Sequence, residues 1–160
     1  MIGIFSIWRY YSVRILSFNT DIITNTSFSG IKPVYIKAYP VGVDTDIKDS
    51  VIDNGIWTIN PGSANYLLGS AGLGDGGNIV IYGHNRNDIF GPLRWVKTGA
   101  IISLTGSDEK IYRYEVIKTD IVSPNNLEYI KPATDEILTL YTCIGILDSK
   151  RFIVVAKRIN

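Results

Sequence analysis

Sulfur and imidazole are scarce in this sequence, whose 160 residues include one cysteine, Cys143, and one histidine, His84. A single cysteine cannot form an intramolecular disulfide, so cysteine usage indicates neither an oxidising nor a reducing compartment. A zinc site would have to recruit carboxylates, and no pair of residues has the spacing of metal ligands. The sequence therefore predicts no required metal or cofactor, and it leaves an unpaired thiol whose role must be explained.

Long uncharged apolar runs are missing, and so is an excess of charge. The 16 Lys and Arg residues against 15 Asp and Glu residues give a net charge of +1, which offers no electrostatic case for nucleic acid. A membrane-spanning helix needs about 20 nearly uncharged residues, whereas Arg9 and Arg14 interrupt residues 1–20, which also lack a signal-peptide cleavage site. We expect an N-terminal arm or linker over residues 1–30, with a membrane-proximal segment as the alternative, and one domain over 31–160.

Residues that favour strands dominate this domain. Ten tyrosines accompany many Ile, Val and Thr residues, whereas Met occurs once. Short apolar runs between turn residues predict strands within 31–39, 41–47, 54–59, 78–84, 99–106, 110–122, 136–143 and 151–159. Helical structure is limited to single turns, within 63–68, after a possible cap at Asp88 and within 123–130, because no long helical period occurs. The sequence predicts an all-β fold, a small closed or nearly closed barrel, since closure removes exposed strand edges.

Cys143, His84 and Arg151 each lie at the mouth of a predicted strand. A thiol is a strong nucleophile only as thiolate, and a neighbouring imidazole can take its proton. An arginine supplies permanent positive charge where a carbonyl becomes an oxyanion. The three residues thus make a complete set for acyl transfer through a thioester. Each also has an ordinary structural interpretation, as a small buried hydrophobe, a hydrogen-bonded surface histidine and a solvated arginine at a strand end.

Local sequence decides between these interpretations. The segment 139–143 reads TLYTC and is followed by Arg151, and the segment 77–84 reads GNIVIYGH. Phe90 and Leu93 follow, and a glycine-led strand begins at Gly99. In this order the motifs resemble those of the sortases, bacterial cysteine transpeptidases that act on cell-surface proteins. The resemblance covers about residues 31 to 160.

The resemblance implies a fold and a set of roles. The fold would be the eight-stranded sortase-type closed β-barrel, with short helical turns in the connections. Cys143 would attack the carbonyl of a threonine-like residue in an LPxTG-type sorting signal, His84 would transfer protons, and Arg151 would hold the peptide and stabilise the oxyanion. The substrate-binding residues would include Thr142, as a hydrogen-bond donor in the same hole, together with Leu140, Asn85 and Tyr141.

The partners that the resemblance implies are a surface protein with an LPxTG-like motif and an amine acceptor, either a cell-wall precursor or a pilin lysine. The place of action would be the extracytoplasmic face of the bacterial cell membrane. The compact chain is most similar to sortases of classes D, E or F. Some sortases bind calcium through an acidic loop; Asp44, Asp46 and Asp49 cluster here, but a solvated turn explains them equally well.

Two other functions fit the same residues. A cysteine endopeptidase would use the same triad and resolve the thioester with water, and a non-catalytic peptide-binding β-barrel would keep the residues without turnover. Comparing the products formed with and without an added amine distinguishes the endopeptidase from a transpeptidase. A thiol-reactive peptide analogue distinguishes the non-catalytic barrel, which would form no covalent adduct with it.

Overall fold

The computed structural model describes residues 30–159. The predicted N-terminal arm or linker over residues 1–30 lies outside this part of the chain, apart from its last residue. Within the described part, no helix is long and apolar enough to cross a membrane.

Ten strands and four short 3-10 turns make up the described chain. The strands are β1 (Pro33–Ala38), β2 (Val43–Ser50), β3 (Ile52–Asp53), β4 (Ile56–Trp57), β5 (Ala64–Leu67), β6 (Asn78–Tyr82), β7 (Ile101–Gly106), β8 (Ile111–Val122), β9 (Ile137–Ile144) and β10 (Lys150–Ile159). The 3-10 turns are Tyr39–Val41, Gly91–Trp95, Glu128–Ile130 and Ile146–Asp148. The predicted all-β class is therefore confirmed.

Eight of the strands close into a barrel in the order β1-β2-β5-β6-β9-β10-β8-β7, and β3 pairs with β4 in a separate hairpin. Most neighbours are antiparallel, but β2 pairs with β5 and β6 pairs with β9 in parallel. Pro33 stands at the first position of β1, where its missing N–H is tolerated. The structure confirms the eight-stranded closed β-barrel with short helical turns in its connections.

Two apolar clusters lie on opposite faces of the strands that matter most for function. The larger cluster fills the barrel and takes Ile79 and Ile81 from β6, Leu138 and Leu140 from β9, and Phe152 and Val154 from β10. The smaller cluster covers the outer face of the same strands and takes Tyr82, Tyr141 and Ile153, over which Trp57 of β4 packs. Because β6, β9 and β10 are buried on both faces, their sequences are mostly apolar and do not alternate between apolar and polar residues.

Two local predictions are wrong. Residues 63–68 were expected to form a helical turn, but Ala64–Leu67 is the extended strand β5. This segment pairs with both β2 and β6 and is buried throughout, so tertiary pairing overrides its local preference. Asp88 does not cap the turn at Gly91–Trp95, which begins at Phe90 without a side-chain cap; its carboxylate pairs instead with Arg86 at 2.6 Å.

Candidate active site

The barrel brings Cys143 and Arg151 onto neighbouring strands, and His84 follows the end of a third strand. β9 lies between β6 and β10. Cys143 on β9 is the direct pairing partner of Arg151 on β10. On the other side, Tyr82 at the end of β6 pairs with Tyr141, and His84 follows Tyr82 by two residues just as Cys143 follows Tyr141. The register therefore pairs Cys143 directly with Arg151, and His84 follows the strand on the other side of β9.

Cys143 and Arg151 share one face of the sheet. Side chains alternate between the faces of a strand, and the outer-face cluster contains Tyr82, Tyr141, Cys143 and Ile153. Arg151 is two residues before Ile153 and so shares its face. The backbone N–H of Gly83 donates to the carbonyl of Tyr141 at 3.2 Å, which continues the pairing of β6 with β9 towards His84. The candidate site thus lies on the outside of the barrel wall, at the end of these strands.

An aromatic cluster supports the site from below. The rings of Tyr82 and Tyr141 stack with centroids 5.3 Å apart, and Trp57 meets them edge-on at 5.2 Å and 5.9 Å. The hydroxyl of Tyr82 donates to the carbonyl of Thr58 at 2.6 Å and lies 2.8 Å from the Ser50 hydroxyl. Large rings in these geometries fix their neighbours rigidly, so the strand positions just before His84 and Cys143 are held in place. Neither Trp57 nor Tyr82 stood out in the sequence as a residue of the site.

The thiol of Cys143 is buried. Burial raises its pKa from 9.0 to about 12, while the nearby Arg151 lowers the pKa and Asp148 raises it. Burial disfavours a charged group in a low-dielectric environment, and here it outweighs the attraction of the guanidinium. Cys143 is therefore a neutral thiol at pH 7 in this conformation.

His84 is half-buried, and its pKa is lowered by burial and by the positive charge of Arg86, with Asp148 acting in the opposite direction. The imidazole is thus neutral at pH 7 and can accept a proton. The backbone carbonyl of His84 accepts hydrogen bonds from the N–H groups of Arg86 and Phe90 at 2.8 Å and 3.2 Å. These two bonds form a tight turn directly after the histidine.

Steric crowding explains why residue 83, directly before His84, is a glycine. A Cβ atom at Gly83 would lie 2.8 Å from Ile89 and 3.1 Å from Phe90, closer than real side chains approach. The turn after His84 therefore folds back against residue 83, and only glycine leaves room for it.

The guanidinium of Arg151 is buried and oriented by the loop between β9 and β10. Its Nη1 atom donates to the carbonyls of Asp148 at 3.0 Å and Lys150 at 3.2 Å. These bonds fix the plane of the guanidinium beside Cys143, so the loop and the charge of Arg151 form one unit. Asp148 influences both Cys143 and His84 electrostatically, and sequence reasoning did not select it because only the fold brings it near the histidine.

The loop between β9 and β10 has a constrained backbone. Leu147 and Asp148 adopt positive φ angles of 52° and 55°, a region that non-glycine residues rarely occupy. Ile146 and Leu147 are 86% and 90% exposed. Backbone strain of this kind persists only where neighbouring contacts hold the backbone in place. Here the hydrogen bonds from Arg151 hold the loop. The side chains of Ile146 and Leu147, which lie between Cys143 and Arg151 in the sequence, are therefore held exposed to solvent.

The four predicted substrate-binding residues differ in their exposure and their contacts. Asn85 is exposed, directly after His84. Thr142 is buried, and its hydroxyl donates to the carbonyl of Gly83 at 2.8 Å, so it ties β9 to the strand end before the histidine. Tyr141 is buried within the aromatic cluster, and Leu140 packs inside the barrel with no exposed surface. Leu140 and Tyr141 therefore support the site in this conformation and present no surface to a peptide.

The acidic cluster lies on the solvent side of β2. Asp44 and Asp46 are exposed there, and Tyr35 donates to Asp44 at 2.6 Å. Asp49 pairs with Lys32 at 2.7 Å. Within residues 30–159, no group of three or more His, Cys, Asp or Glu side chains is arranged to hold a metal ion.

Comparison with known proteins identifies a family. The family model described as "Sortase domain" matches residues 39–159, which is most of the chain. Among curated proteins, "Putative sortase YwpE" of Bacillus subtilis (strain 168) is 37% identical over 70 residues, covering 42% of this chain and 68% of that protein. The matched domain contains His84, Cys143 and Arg151.

Solved structures agree on the fold. A lid mutant of sortase A from Corynebacterium diphtheriae is 24% identical, covers 99% of this chain and 92% of its own, and has a TM-score of 0.69. The sortase D5 transpeptidase of Clostridium perfringens is 24% identical, with coverage of 81% and 79% and a TM-score of 0.67. Sortase C1 from Streptococcus agalactiae is 20% identical, with coverage of 79% and 67% and a TM-score of 0.66. These neighbours share the barrel but belong to several sortase types, so they do not resolve the subfamily.

Proposed function

The chain belongs to the sortase family, and we propose that it is a cysteine transpeptidase that cleaves an LPxTG-like sorting signal and transfers the acyl group to an amine. The observation that carries this proposal is the direct pairing of Cys143 with Arg151 across β9 and β10, with β6, which leads to His84, on the other side of β9. A sorting-signal protein and an amine on a cell-wall precursor or a pilin would be the two substrates. The reaction would take place at the extracytoplasmic face of the bacterial membrane.

The first half-reaction begins with two neutral groups. As the sulfur of Cys143 bonds to the scissile carbonyl carbon, its proton passes to the imidazole of His84. The carbonyl oxygen becomes an oxyanion beside Arg151, whose fixed charge stabilises it. The carbon–nitrogen bond then breaks, His84 protonates the departing amine, and a thioester remains on Cys143.

The second half-reaction reverses these roles. The incoming amine attacks the thioester carbonyl, and His84 accepts the proton that the amine loses. The carbon–sulfur bond breaks, the sulfur recovers that proton from His84, and a new amide is formed. The burial of Cys143 disfavours a free thiolate and so favours proton transfer at the moment of attack.

The mouth of the site suits an apolar peptide. Ile146 and Leu147 are exposed in the loop that joins Cys143 to Arg151. Apolar residues of a bound signal, such as its leucine and proline, would cover these side chains and remove them from water. An extended peptide would bind across the strand ends, which is a common mode of recognition by sheets.

The test is a peptide-library cleavage assay with and without an added amine, combined with mass spectrometry of the enzyme. We expect a covalent acyl adduct on Cys143 and, with the amine present, an amide product. Cys143→Ala should remove the adduct and leave folding intact, and Thr98→Ala, an exposed position, is the control for handling of variants. Product that is hydrolysed even with excess amine would indicate an endopeptidase, and peptide binding without any adduct would indicate a non-catalytic module.

A further inference from the structure

An aromatic and basic patch, made of residues outside the predicted catalytic set, lies on the two 3-10 turns that follow β1 and β6. Tyr39 and Trp95 are 78% and 68% exposed, which is unusual for large rings on a soluble surface. They belong to the 3-10 turns Tyr39–Val41 and Gly91–Trp95, and these two turns contact each other. We define the aromatic-basic patch as these two rings together with Lys37, Arg94 and Lys97.

Each exposed ring of the patch has a cation against it. The guanidinium carbon of Arg94 lies 5.4 Å from the centre of the Trp95 ring. The Lys37 ammonium lies 5.6 Å from the centre of the Tyr39 ring and 5.7 Å from that of Tyr35. Lys97 is exposed just beyond Trp95. One carboxylate, Asp44, lies 4.0 Å from Lys37, so positive charge exceeds negative charge in the patch.

This chemistry fits a lipid surface carrying negative charge. Tyr and Trp combine an apolar body with a polar tip and concentrate where membranes meet water. Lysine and arginine beside them attract anionic headgroups while their stems lie along apolar groups. We propose that the aromatic-basic patch docks the catalytic domain on an anionic lipid bilayer. The proposal does not depend on the reaction assigned above, because none of the patch residues belongs to the triad.

Docking through the aromatic-basic patch would also determine where the active site lies relative to the lipid. The chain runs from His84 through a tight turn to Trp95, and the N–H of Phe90 bonds back to the carbonyl of His84. Trp95 and His84 therefore belong to one segment that follows β6, and Tyr39 is joined to it through the contact between the two 3-10 turns. Binding through Tyr39 and Trp95 would hold the active-site end of the barrel close to the lipid headgroups.

Vesicle co-sedimentation of the full chain tests this proposal. Vesicles of equal parts phosphatidylglycerol and phosphatidylcholine should bind the protein, and vesicles of phosphatidylcholine alone should bind it more weakly. The double variant Tyr39→Ser/Trp95→Ser should lose about tenfold or more in binding to the anionic vesicles, whereas Tyr39→Phe/Trp95→Phe should retain most of it. Ile111→Ser is the matched control, because Ile111 is also a large exposed apolar residue, 63% exposed, and begins β8 elsewhere.

The remaining readouts separate the possible occupants. Residues 1–29 are present in every variant, so any contribution from them is common to all. Activity on a soluble peptide should be the same in the double variant as in the parent. Equal vesicle binding by parent and double variant overturns the proposal. It is equally overturned if the double variant instead abolishes a dimer in light scattering, or abolishes binding to cell-wall polymer in the absence of vesicle binding.

Discussion

The ionisation of Cys143 can be tested directly through its reactivity towards iodoacetamide. Alkylation requires the thiolate, and burial raises the pKa of this thiol to about 12. At pH 8 such a thiol is ionised in roughly one molecule in ten thousand, compared with about one in ten for a pKa of 9.0. We therefore expect alkylation to be about a thousandfold slower than for an exposed cysteine, and to rise about tenfold per pH unit between pH 6 and 10.

The assay measures adduct formation by mass spectrometry at a series of pH values. The control is Thr98→Cys in a Cys143→Ala background, because residue 98 is exposed and its thiol should reach a plateau above about pH 10. Arg151→Ala should slow the alkylation of Cys143 further, since the guanidinium lowers its pKa. His84→Ala should change it little, because His84 is already neutral in the resting protein.

The opposite result would be a rate that is independent of pH between 6 and 8 and comparable to the plateau rate of the control. It would mean that Cys143 and His84 exist as a thiolate–imidazolium pair before substrate binds. The proposed transfer of a proton during attack would then be incorrect, and the two groups would have to be treated as a coupled pair.

Substitutions at three further positions test individual contacts. Thr142→Val removes the hydroxyl that bonds to the buried Gly83 carbonyl, so calorimetry should show a loss of about 1–3 kcal/mol in unfolding free energy, whereas Thr142→Ser should lose less; equal losses would show that the hydroxyl does not matter. Arg151→Lys cannot reproduce a planar fork, and turnover should fall by about 100-fold or more; a rate close to the parent's would remove the guanidinium from the mechanism. Leu147→Asn suits the positive φ angle and should raise the melting temperature slightly, while a raised KM would show that the leucine contacts peptide and an unchanged KM that it does not.

The sequence predicted most of the barrel because its strands carry local signals. The alternation of Tyr112 and Tyr114 with charged residues marked β8 as half-exposed, and the run before His84 marked β6 as buried. β5 escaped detection because it is four residues long, is buried throughout and is flanked by loop-like sequence. Its strand character comes from pairing with β2 and β6, which no window of sequence contains.

The sequence proposed the members of the candidate site but could not predict their geometry. Cys143 and Arg151 were expected to meet across a loop, yet the part played by the loop carbonyls depends on positive φ angles at Leu147 and Asp148. Trp57 could not be assigned to the site from sequence, since the hairpin that carries it crosses the outer face of β6 and β9 only after folding. The burial of Leu140 follows from strand parity, which requires the register to be known.

Cys143 lies on a strand with little freedom to move. β9 is hydrogen-bonded on both sides and covered on both faces, so its amide protons should exchange with deuterium only when the whole barrel opens. Any motion that accompanies substrate entry must consequently fall on the segments that follow β6 and β9. Cys143 should therefore stay in place during the reaction. Deuterium uptake measured during turnover should rise in those connections and stay unchanged in β9.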